Sequence, residues 1–121
     1  MSTGPALEPL TIGNRGDLPN ERVQLVVTRD VNTTFYILIA THELSPGRIN
    51  SGFRTSYWFE PTDVKAGDHV IIYTKAGTYK RAPRPDGHFN HFFYWGCSVA
   101  LFGAPTARIV VAEINTWVTG A

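Results

Sequence analysis

Residues 86–97 read DGHFNHFFYWGC and hold Asp86, His88, His91 and Cys97, the one cysteine of the chain. Two chemistries would use such a set. On a helix, side chains three apart share a face, so His88 and His91 would converge on a metal whose ligands sit at about 2 Å. Alternatively, a histidine would act as base to a Cys97 thiolate, or pair with Asp86 in a small β-fold hydrolase. The local sequence favours neither. Gly87 and Gly96 bound a run crowded with aromatics, a composition suited to a pleated strand. Strand side chains alternate, so Phe89, His91, Phe93 and Trp95 take one face and His88, Asn90, Phe92 and Tyr94 the other. The two histidines diverge, and no other ligand pair stands at short spacing. Neither a helix N-terminus nor a cationic neighbour lowers the pKa of Cys97, which reads as a small buried residue. The expectation is an aromatic core strand with Trp95 buried, no metal, no cofactor and no catalytic residue.

Just upstream, KAGTYKRAPRPDG sets Lys75, Lys80, Arg81 and Arg84 against a single acid, Asp86, with Tyr79 among them. Cations interleaved with an aromatic suit phosphate contact, the sequence-independent part of nucleic-acid binding. The same charges also suit a solvated hairpin loop, in which Pro83 and Pro85 would keep the edge from pairing with another sheet. These five residues are the candidate binding loop.

The elements that must position these residues read as β throughout. At 121 residues, with 43% hydrophobic and 17% charged, the chain suits one globular domain. A net charge of +1 provides no global field toward nucleic acid or an anionic membrane. A single cysteine excludes an internal disulfide framework and suggests a reducing, cytoplasmic setting. No basic stretch precedes an apolar one at the start, and no apolar run approaches the roughly 20 residues of a membrane span. Gly and Pro punctuate residues 1–20, which read as an irregular lead-in. Within it Arg15-Gly16-Asp17 spells an adhesion tripeptide but reads as turn chemistry. Beyond it, Asn32-Thr33-Thr34 matches a glycosylation acceptor that matters only in a secretory protein.

From Glu21 the character changes. Val23, Leu25 and Val27 alternate with polar residues, as a strand with one buried face does. Thr34–Thr41 is apolar on both faces, as a central strand is. Leu44–Gly52 reads as a long loop, Phe53–Glu60 as a strand, the stretch from Pro61 as a loop and Asp68–Thr74 as a strand. Ala107–Trp117 is the closing strand, with Glu113 solvent-facing or paired at an edge. Strands so spaced, broken by Gly and Pro, suggest a sandwich or barrel.

The runs DVKAGDHVIIYTKAG, HFFYWGCSVALFG and ARIVVAEI together resemble the second half of a lamin tail domain of the bacterial type. Val64, Ala66, Gly67, Val70, Ile72 and Thr74 match its P-G-x-x-V-x-V-x-T stretch. Tyr94, Trp95 and Gly96 match its Y-W-G, and Ile109, Val111 and Ile114 its last strand. The resemblance covers about half the chain and implies an immunoglobulin-like β-sandwich of antiparallel strands, here as one domain over residues 21–121. It also implies a noncatalytic interaction or structural module that binds a protein partner or itself through loops or sheet edges. A nucleic-acid-binding module using Lys75 to Arg84, or a small hydrolase, are the alternatives; no membrane partner is expected.

Overall fold

The computed structural model describes residues 4–49 and 55–121. In chain order its strands are β1 (Leu7–Gly13), β2 (Arg22–Val27), β3 (Val31–Asn32), β4 (Tyr36–Ser45), β5 (Arg48–Ile49), β6 (Thr55–Trp58), β7 (Asp63–Val64), β8 (His69–Tyr73), β9 (Lys80–Pro83), β10 (Phe89–Tyr94) and β11 (Ala107–Glu113). The one 3₁₀ turn among the described residues, Thr33–Phe35, opens β4; the Asn32 side chain accepts from the Thr34 N–H at its start. The fold is all-β, as the periodicity implies.

One sheet has the order β1-β2-β8-β10-β9. In the other, β4 pairs with β11 on one edge, while β6 and β5 share its opposite edge; β3 and β7 form a separate ribbon. Both larger sheets contribute to one core. Val23, Leu25, Val70, Ile72 and Phe93 come from the first and Tyr36, Leu38 and Ala107 from the second, all fully buried. Phe59 and Phe102 reach the same core from loops, and Phe59 meets Phe93 edge-on at 5.0 Å between ring centres.

Three expectations are corrected. Residues 1–20 are not wholly irregular, because Leu7–Gly13 pairs with β2. Pro9 is tolerated since β1 is an edge strand, and the register shift between Pro9 and Thr11 absorbs the irregularity. Ala6 and Leu7, both fully buried, anchor this stretch to the core. The Leu44–Gly52 loop is shorter than expected, since β4 runs to Ser45 and returns as β5; residues 50–52 lie outside the described set. The strand expected over Phe53–Glu60 is present as β6, Thr55–Trp58, and residues 53 and 54 lie outside the described set. Lastly, the strands are not all antiparallel: β10 runs parallel to β8. The chain leaves β8, crosses the end of β10, builds β9 at the edge and returns by a hairpin into the gap. No described helix is long and apolar enough to cross a membrane.

Candidate functional site

The aromatic run adopts the expected alternation. His91 and Phe93 are buried on the inner face of β10, while Phe92 and Tyr94 stand half-exposed on the outer face. Trp95 departs from expectation. It lies just past β10, is half-buried, and packs against Tyr57 and Phe102 at 5.8 and 6.3 Å.

The two histidines do not diverge, which is a further correction. His88 precedes β10, so strand alternation does not govern it, and both rings approach one carboxylate. His91 Nε2 lies 2.8 Å from Asp68 Oδ2 and His88 Nδ1 3.8 Å from Asp68 Oδ1. Asp68 also accepts from the backbone N–H groups of Lys65 and Phe89. Burial alone would raise its pKa, but His91 and these two N–H groups outweigh that and hold the carboxyl below its ordinary value. On the other side of the ring, Tyr79 Oη lies 2.9 Å from His91 Nδ1. With Asp68 ionised, His91 Nε2–H donates to it, and Nδ1 accepts from the Tyr79 hydroxyl. This line of three side chains has the hydrogen-bond order of an acid–base relay, but its central histidine is only 2% exposed. Burial raises the Tyr79 pKa as well. The relay is a buried clasp between β8, β9 and β10. Among the described residues, no three His, Cys, Asp or Glu side chains are grouped so as to hold a metal.

Cys97 is pushed the wrong way for a nucleophile: burial first, and then Glu21, raise its thiol. Asp86 is engaged in the hairpin turn, where it accepts from the Arg84 guanidinium at 2.5 Å and from the His88 N–H. These bonds keep its carboxyl below the ordinary range, with the His88 N–H as the largest cause.

The expected binding loop is in part a strand, and that splits its five residues between two faces. The register places Lys80 opposite Phe92, Arg81 opposite His91 and Ala82 opposite Asn90. Lys80 therefore lies on the outer face with Phe92. Tyr79 points inward to His91, and Arg81 lies 4.2 Å over the Phe89 ring on that same side. Arg84 is tied to the Gly67 carbonyl and Asp86. Only Lys75 and Lys80 remain together.

What they flank was not foreseen. Tyr73 of β8 stacks with Tyr94 and Phe92 of β10 at 5.6 and 6.4 Å, with interplanar angles of 14° and 28°. Parallel pairing places Tyr73 beside Tyr94 in register. Lys75 Nζ sits 5.1 Å from the Tyr73 ring and Lys80 Nζ 5.8 Å from the Phe92 ring. With Ala82 these side chains line a shallow cavity of about 420 Å³, and no carboxylate is among them. Sequence alternation marked Phe92 and Tyr94 as neighbours, but nothing in it revealed that β8 lies beside β10. No family model matches the chain, and no curated protein matches it either.

Proposed function

We propose that this chain is a noncatalytic binding module and that the outer face of β8, β10 and β9 is where an anionic partner docks. The observation that carries the reading is the row of stacked rings Tyr73, Tyr94 and Phe92, flanked by Lys75 and Lys80 in a cavity with no carboxylate on its lining. Aromatic side chains offer large contact area with little entropy to lose, and cations beside them select negative charge. The noncatalytic part is supported by the hydrogen bonds that already occupy His91, Asp68 and Asp86 and by the raised Cys97 thiol. The finer fold, an immunoglobulin-like sandwich of the lamin tail type, belongs to the same proposal. Two sheets contributing to one core support it, and the parallel β8–β10 pair is its departure from that pattern.

The test is amide shift mapping with a heparin-derived hexasaccharide as polyanionic probe. Shifts are expected at Tyr73, Lys75, Lys80, Phe92 and Tyr94, and a Lys75→Ala/Lys80→Ala variant should lose them. Shifts confined to other surfaces would overturn the placement of the site.

A further inference from the structure

We infer that the partner is single-stranded nucleic acid, held by stacking of its bases on the Tyr73–Tyr94–Phe92 row with its phosphates on Lys75 and Lys80. The inference rests on the outer face being the docking site and adds the chemistry of what docks there.

Three features of the face have to be matched together. The first is charge. No described carboxylate lies within ion-pairing distance of Lys75 or Lys80, and each ammonium instead rests over an aromatic ring. A neutral saccharide would leave both cations without a partner. The second is the rings. An acidic peptide would neutralise the lysines but offers no flat group to three half-exposed aromatics. A single-stranded nucleic acid carries flat bases and anionic phosphates at every residue, so it meets both demands at once. A duplex does not, because its bases are already stacked on one another. The third is extent. Strands lie about 4.8 Å apart, so Lys80 on β9, Phe92 and Tyr94 on β10 and Tyr73 on β8 form a row about 10 Å across. The cavity of about 420 Å³ falls within the roughly 300–1,000 Å³ of small-ligand sites. The footprint is therefore a few nucleotides, and the contact is sequence-tolerant and salt-sensitive. The crossing segment fixes the row in place, since Gly77 lies flat against the Tyr94 ring where a side chain would collide with it.

Fluorescence anisotropy at low salt tests this with labelled probes of equal length, about fifteen nucleotides. The probes are oligothymidylate, the same backbone without bases, and its duplex with oligoadenylate, beside a heparin fragment of similar charge. The expected order is oligothymidylate tightest, with the abasic chain and the duplex each at least about tenfold weaker. Phe92→Ala and Tyr94→Ala should weaken oligothymidylate roughly 5- to 150-fold, the range for removing one base–ring stack. They should leave the abasic chain unchanged. Lys75→Ala/Lys80→Ala should weaken both and lower the salt slope by roughly one for each phosphate no longer neutralised. Equal binding of oligothymidylate and abasic chain would overturn base stacking while leaving polyanion docking in place. Heparin binding tightest, with the same variants blunting it, would make the ligand a sulfated saccharide and overturn the inference. No binding of any probe by the folded parent would overturn the inference and the docking site together.

Discussion

Glu21 shows how much one residue of this fold carries. Its side chain is fully buried, yet the carboxylate meets no cation within ion-pairing range among the described residues. Four donors surround it instead: the N–H groups of Gly16 and Phe102 on Oε1, and the Thr74 hydroxyl and Leu101 N–H on Oε2. Those donors belong to the turn before β2, the end of β8 and the loop before β11, so a single group fastens three segments. Arg15 fastens the same region, donating to the carbonyls of Phe102 and Ala107. That is the structural role of the Arg15-Gly16-Asp17 tripeptide. Glu21→Gln should cost about 1–3 kcal/mol in a denaturant melt at neutral pH. The amide can accept on one side only, and its NH₂ then faces N–H donors on the other. A neutral result would mean the donors turn to solvent without loss. In the core, Phe93 rather than Trp95 is the aromatic to truncate. Fully buried, it meets Phe59 and Tyr79 at 5.0 and 4.9 Å, so Phe93→Ala should cost about 3–5 kcal/mol. Trp95→Ala, half-buried, should cost clearly less, and the reverse order would show that Trp95 is the deeper anchor.

At the scale of elements, the sequence announces some strands and hides others for physical reasons. Val23, Leu25 and Val27 repeat at period two because β2 buries one face, and the same holds for His91 and Phe93 against Phe92 and Tyr94. Edge strands escape such reading. β1 and β9 carry Pro9 and Pro83, which an edge tolerates and which read as loop residues when met in isolation. β9 hid the site for that reason, since four cations read as one loop are in fact divided by a pleat. Long-range order was also invisible: no local pattern says that β10 inserts between β8 and β9. Gly77 is where the crossing segment meets the aromatic row. A Cβ there would stand 2.6 Å from Tyr94 Cε2, so Gly77→Ala must displace the ring. That variant should stay folded yet lose affinity for oligothymidylate nearly as Tyr94→Ala does, although residue 77 itself touches no ligand. Unchanged affinity would mean that the ring's position does not matter for binding.

At the scale of the whole molecule, the chain has a net charge of +1, and three groups that titrate below neutral pH, His69, Glu21 and Asp68, lie at or beside strand ends. Their shifts share one sign. His69 is held below 6.5, by burial first and then by Arg84; its Nδ1 is 3.1 Å from the Gln24 amide nitrogen, which donates to it. Glu21 is held below 4.5, because its hydrogen bonds outweigh its burial, and Asp68 below 3.8 for the same reason. Each depressed value means that the unfolded chain takes up the proton first as pH falls. The stability from each group is complete above its ordinary pKa and is lost as pH drops through the lower folded value. Acid loss should therefore come in stages, a shallow one beginning near pH 6.5 and a steeper one beginning near pH 4.5 and continuing below 3.8. The groups can be separated by substitution. His69→Gln should flatten the upper stage and leave the lower, while Asp68→Asn should lower stability at neutral pH and shrink the steep stage. Asp68→Asn also breaks the clasp, because Oδ2 holds the proton of His91 Nε2 at one end of the line that reaches Tyr79. The measurement is the free energy of urea unfolding against pH from 7 downward. Stability that holds level through the first stage in the parent chain would show that His69 is as free to charge in the fold as in the unfolded chain. A Glu21→Gln profile as steep below pH 4.5 as that of the parent would show that the carboxylate at the junction of three segments is not what acid attacks.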